Sequence, residues 1–133
     1  KSDLPALGFS AAKPWLPVPE SHRALAVSRQ ERDPESVLSG FREFMRWRRQ
    51  HDALRFGSIE FLDAPEPVLL FLRRHAGRSM LVAFNLNARD VTVPVPAGIR
   101  LRQLQCPGPT NGRIERGELK LPTNAAVFAE VES

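Results

Sequence analysis

Val68-Leu69-Leu70-Phe71-Leu72-Arg73 and Met80-Leu81-Val82-Ala83-Phe84-Asn85-Leu86 are two apolar runs, joined through His75-Ala76-Gly77-Arg78. Runs of this length around a Gly-containing turn signal a β-hairpin. The pattern continues on both sides. Ser58 to Leu62 reads as a short strand, and Asp63-Ala64-Pro65-Glu66-Pro67 as the turn after it. Downstream, Val91 to Val95 alternates, with Pro94 suggesting a sheet edge. Leu101 to Gln105, Arg113 to Ile114, Glu118 to Leu121 and Ala125 to Val131 complete a series of short strands broken by Gly, Pro and Asn. Such strands predict an antiparallel sandwich over residues 58–133.

Upstream the period changes. Asp33-Pro34-Glu35 reads as a helix start, with Asp at the N-cap and Pro in the first helical position. Val37, Leu38, Phe41, Phe44 and Met45 then recur at helical spacing, and Arg42, Glu43, Arg46 and Arg49 fill the other face. This predicts one long helix over about 33–51. Its arginine-rich last turn suits the negative end of the helix dipole. Before it, Pro5, Pro14, Pro17 and Pro19 predict an irregular arm around Phe9 and Trp15. An arm of some 30 residues fits better draped over a larger body than within a compact domain.

Composition narrows the function classes. The chain has 133 residues, a net charge of +4 and one cysteine, Cys106. A single cysteine excludes an internal disulfide and a cysteine zinc cluster, and suits a reducing, cytoplasmic compartment. No apolar stretch approaches the roughly 20 residues of a membrane span. A pI of 10.2 admits a basic nucleic-acid-binding domain as an alternative. However, 16 of the 19 basic residues are arginines scattered among 15 acids, and tyrosine is absent. A solvated surface explains that better than a nucleic-acid face.

Gly8-Phe9-Ser10, Pro14-Trp15-Leu16-Pro17-Val18, Gln30 with Asp33-Pro34, and Arg48-Arg49-Gln50-His51 with Leu54 stand in a fixed order. That series resembles the end of the catalytic barrel in glycoside hydrolase family 13 α-glucosidases and oligo-1,6-glucosidases of the α-amylase superfamily. Met80 to Leu86 is similar to the central strand of that family's C-terminal domain, which often ends in an Asn-bearing segment. Trp47 departs from the pattern, since the family usually has a small or aliphatic residue there.

The resemblance implies mainly β structure with one long α-helix. Residues 1–57 would be the tail of a (β/α)8 barrel, and 58–133 an antiparallel Greek-key sandwich. It implies retaining hydrolysis or transfer of α-glucosyl groups from substrates such as maltose or short oligosaccharides. An aspartate nucleophile and a glutamate acid/base would form and break a covalent glycosyl-enzyme. Those carboxylates, and a second aspartate that holds the sugar, are expected upstream of Lys1, so no catalytic residue is assigned in this chain. No cofactor is implied, and a structural metal ion, if any, would bind the upstream barrel. The partner would be the remainder of the same polypeptide, with neither nucleic acid nor membrane.

The acids and histidines present read as structural. Asp33 and Glu35 cap a helix, and Glu60, Asp63 and Glu66 surround a turn. His22, His51 and His75 lack metal-ligand spacing. Phe9 and Trp15 are the two site candidates. Both rings could pin the arm by packing, and the family places this segment near the barrel rim, where they would form part of a substrate-pocket wall. The first alternative to the enzyme reading, ahead of the nucleic-acid-binding domain, is a stand-alone carbohydrate-binding module, which needs aromatics presented on one sheet face. Phe61, Phe71, Phe84 and Phe128 read instead as core.

Overall fold

The computed structural model describes residues 3–108 and 111–132. It divides into two compact units, Lys1–Glu43 and Phe44–Ser133. The larger unit carries eight antiparallel strands in two sheets: β1 Ser58–Phe61, β2 Val68–His75, β3 Arg78–Asn85, β4 Val91–Pro94, β5 Arg100–Gln103, β6 Arg113–Glu115, β7 Glu118–Leu121 and β8 Ala126–Glu132. The five-stranded sheet runs β1-β2-β3-β8-β5, and the three-stranded sheet β4-β7-β6.

The opening hairpin is where the sequence places it. His75 pairs with Arg78 across a two-residue turn, and Ala76 and Gly77 both have positive φ, 47° and 77°. Two successive positive φ values match the right-handed strand twist. The β6–β7 turn repeats the device with Arg116 at 52° and Gly117 at 77°.

Side-chain alternation on β2 turns Val68, Leu70 and Leu72 into the sandwich interior. There they meet Leu81, Ala83 and Val127 of the same sheet, and Val93, Leu119 and Leu121 of the other. Each such leucine, fully buried, contributes roughly 2 kcal/mol. On β3 the apolar run is continuous rather than alternating, because its second face is covered too. Met80, Val82 and Phe128 on that outer face pack against Ala53, Leu54, Phe44 and Trp47.

Those last four come from two helices, α2 Val37–Arg49 and α3 Asp52–Phe56; α1, Val27–Gln30, is a single turn. The long helix therefore starts three residues later than an N-cap at Asp33 suggests. Asp33 accepts the Glu35 N–H at 2.9 Å, and Ser36 N–H closes onto the Asp33 carbonyl at 3.2 Å. Pro34 occupies the second position of that turn, where its fixed φ is as suitable as in a helix. Ser36 is the actual cap: its Oγ accepts the Ser39 N–H at 3.2 Å.

The other end differs as well. α2 stops at Arg49, and His51 becomes the N-cap residue of α3. Gly57 ends α3, with its N–H on the Ala53 carbonyl at 3.1 Å. A Cβ at Gly57 would lie 2.4 Å from that oxygen and 2.8 Å from the Arg74 carbonyl, so close backbone approach explains this glycine. Trp47 packs within the larger unit, its ring centroid 4.3 Å from His51 and 5.1 Å from Phe128.

Candidate functional site

The two site candidates lie in the smaller unit. Phe9 closes a short 3-10 turn, Pro5–Gly8, and Trp15 sits in a bend between Pro14 and Leu16. Phe9 is 94% exposed and Trp15 90% exposed. Neither ring pins the arm by packing within this unit, and none of the unit's described residues is buried. The arm is less irregular than its prolines suggest, with a second 3-10 turn at Glu20–Arg23 and then α1.

The end of the arm is tied down by Gln30, for which the resemblance implied only a motif position. Its Nε2 donates to the Leu25 carbonyl at 2.6 Å, and its Oε1 accepts the Leu38 N–H at 3.1 Å. Its own carbonyl accepts the Ser36 hydroxyl at 2.7 Å. One amide side chain thus ties the stretch before α1 to the first turn of α2. A Gln followed by a capped turn is the signal that carries this.

The acidic residues have structural employment. Glu20 holds Arg23 at 2.7 Å, which keeps its carboxyl below the ordinary glutamate range through that hydrogen bond and charge. Glu60 pairs with Arg74 at 2.9 Å. Asp63 and Glu66 are exposed in the β1–β2 connection. His51 Nδ1 bonds the Trp47 carbonyl at 2.9 Å. Among the described residues, no group of three His, Cys, Asp or Glu side chains could hold a metal ion.

An open pocket of about 400 Å³ lies between β5 and β6, lined by Gln103, Leu104, Gln105, Cys106, Arg113, Ile114 and Glu115. Its groups are largely spent. The Gln103 amide donates to the Gly112 carbonyl and accepts the Ile114 N–H, both at 2.9 Å, and so ties the two sheets together. Arg113 faces Glu115 at 3.7 Å. Burial pushes the Cys106 thiol up to about 12, so it stays protonated and a poor nucleophile at neutral pH.

The four phenylalanines expected in the core form a row on the outer face of the five-stranded sheet. Successive ring centroids from Phe61 through Phe71 and Phe84 to Phe128 lie 6.0, 6.2 and 5.8 Å apart. Phe128 is only 4% exposed, whereas Phe61, on the edge strand β1, is 64% exposed. The expectation of a buried ring therefore fails for Phe61. Its nearest neighbour in the row, Phe71, meets it edge-on at 65°, so the row offers no flat platform for a sugar. No helix among the described residues is long and apolar enough to cross a membrane.

Comparison with known proteins agrees with the resemblance. Over 128 residues, 96% of the chain, it is 39% identical to a probable α-glucosidase of Rhizobium meliloti (strain 1021), and this spans 23% of that protein. It is 28% identical over 75 residues, 56% of the chain, to an oligo-1,6-glucosidase of Parageobacillus thermoglucosidasius, spanning 13% of it. Among solved structures, the α-glucosyl transfer enzyme XgtA superposes with a TM-score of 0.85 at 47% identity. That match covers 94% of this chain and 23% of XgtA. The trehalulose synthase MutB of Pseudomonas mesoacidophila MX-45 follows at a TM-score of 0.76 and 26% identity, with the same coverage. The matches thus span between about an eighth and a quarter of the length of these relatives. Residues 62–128, from the end of β1 into β8, match the model of a family described as a domain of unknown function, DUF3459, and the chain belongs to that family.

Proposed function

We propose that these residues are the C-terminal part of a retaining α-glucosidase, or of a glucosyl-transferring relative, of glycoside hydrolase family 13. The observation that carries this is the length of the match: near-complete coverage of this chain against about a quarter of XgtA, at 47% identity. In this reading residues 1–57 close the catalytic (β/α)8 barrel, with α2 as its last helix, and residues 58–133 form a Greek-key domain behind it. The nucleophile, the acid/base and the assisting aspartate lie elsewhere in the polypeptide, as does any structural metal ion. No cofactor is needed, and the enzyme works in the cytoplasm. The substrates are small α-glucosides such as maltose or short oligosaccharides, and the remainder of the polypeptide is the partner that covers the arm.

The exposure of Phe9 and Trp15 supports a place for both at the pocket wall, since an aromatic face left open can stack on a sugar ring or meet the barrel rim. The test compares the 133-residue chain with the longer polypeptide. Glucose release from maltose is expected from the longer protein and not from the chain. Activity in the chain alone would overturn the assignment of the carboxylates elsewhere, and a longer protein inert toward α-glucosides would overturn the enzyme reading. In the longer protein, Trp15→Ala is expected to raise KM for maltose several-fold, and an unchanged KM would remove Trp15 from the pocket wall.

A further inference from the structure

Two arginines of the larger unit converge on one carbonyl oxygen. Arg48, in the last turn of α2, donates from Nη2 to the Leu54 carbonyl at 2.9 Å. Arg73, on the outer face of β2, donates from Nε to the Ala53 carbonyl at 3.2 Å and from Nη2 to the Leu54 carbonyl at 3.4 Å. The two Nη2 atoms are therefore no more than about 6 Å apart, inside the Debye length of about 8 Å at physiological salt. Both residues are half-buried, so solvent screens them less than exposed charges.

Neutral carbonyls accept these hydrogen bonds but do not cancel two positive charges. The acids of the neighbouring α3 and β1 are engaged elsewhere: Asp52 faces Arg55 at 3.6 Å, and Glu60 holds Arg74 at 2.9 Å. Among the described residues, Arg48 and Arg73 belong to none of the ion pairs. The cross-strand neighbours of Arg73 are Ile59 and Met80, both uncharged. One arginine would be enough to satisfy the Leu54 carbonyl at the end of α3. The second adds a like charge beside the first.

Each guanidinium has five N–H donors in a planar fork, and the carbonyl contacts consume one on Arg48 and two on Arg73. The remaining donors are held in place by the bonds already made. Fixed forks of this kind suit an oxyanion, which they can grip through paired charge-assisted hydrogen bonds.

We propose that Arg48 and Arg73 form an oxyanion site, which takes either a free phosphate-type ion or a carboxylate side chain from elsewhere in the polypeptide. The site itself uses only residues of the larger unit, whereas the carboxylate source rests on the reading that the chain is part of a longer polypeptide.

Inorganic phosphate is the probe, titrated against chloride at constant ionic strength while the melting temperature of the 133-residue chain is followed. A saturable rise is expected, about 5 °C at roughly ten times Kd. Arg48→Gln should abolish most of it, and Arg89→Gln, in the connection between β3 and β4, should leave it intact. If Arg48→Gln does not fold, Arg48→Lys serves, because it keeps the charge and loses the fork; its phosphate affinity should fall about tenfold. An equal rise with chloride, or an unchanged response in both Arg48 variants, overturns the site. The longer polypeptide then identifies the source. A seated carboxylate leaves it unresponsive to phosphate but more sensitive than the chain to Arg48→Gln, whereas a free-ion site keeps the phosphate response. If it shows neither behaviour, the site is overturned there too.

Discussion

Asn85 is the buried polar side chain on which the larger unit depends most. It is 1% exposed, and its Nδ2 lies 2.7 Å from the Arg89 carbonyl, 3.0 Å from that of Leu121 and 2.9 Å from that of Pro122. Its Oδ1 accepts the Asn87 N–H at 2.9 Å. One amide thereby ties the end of β3 to the end of β7 in the opposite sheet. Asn85→Ala should cost about 2 kcal/mol by orphaning these groups. Asn85→Asp should cost at least about 3 kcal/mol, because it aims a carboxylate oxygen at three carbonyls. Urea midpoints would rank the two, and a tolerated aspartate would contradict the hydrogen-bond assignment. Cys106 gives a pH test. The folded thiol holds its proton up to about 12, whereas an unperturbed one gives it up near 9.0. Between those values the folded state binds more protons than the unfolded chain, so stability should fall as pH rises from 9 toward 12. Alkylation of the native protein at pH 8 should be much slower than in urea, and equal rates would show the thiol to be accessible and unshifted.

At the scale of elements, the hairpin turns carry the clearest liability. Ala76 stands at φ 47°, a region in which a Cβ costs roughly 1–2 kcal/mol and which Asn tolerates far better. Ala76→Asn should therefore stabilise the protein by about 0.5–1 kcal/mol, read as a higher urea midpoint at unchanged m-value; a lower midpoint would argue against the turn type. The strands were legible from the residues because each alternates or forms an apolar run between turn formers. The helix boundaries were less so. Pro34 suits the second position of a turn as well as the first position of a helix, so the residues alone do not distinguish Asp33 from Ser36 as the cap. α3 escaped notice because five residues are too few to display a period, although Asp52 in its first turn and Gly57 at its end are both boundary signals.

For the whole molecule, periodicity shows which side chains face inward but not which sheet surface a helix will cover. Phe61, Phe71, Phe84 and Phe128 were recognisable as one set, yet their gradation from exposed to buried depends on α2 and α3 covering only part of the outer face. The Arg48–Arg73 pair was illegible for the same reason, since 25 positions separate two residues that only tertiary packing brings together. The functional reading rested on ordered tokens, and the structure now assigns local work to some of them, such as Gln30. Phe9 and Trp15 remain candidates because their rings are open to solvent rather than packed within their own unit. The sheet order has a further consequence, in time rather than in space. β8 lies between β3 and β5, yet it is the last of the eight strands to leave the ribosome. Until it emerges, β3 and β5 both present bare edges, and the pairing of Met80 with Glu130 must wait until 50 further residues have been made. Closure is therefore a late event, and a nascent chain stalled before Ala126 would be exposed to the strand-swapping partners that the finished sheet excludes.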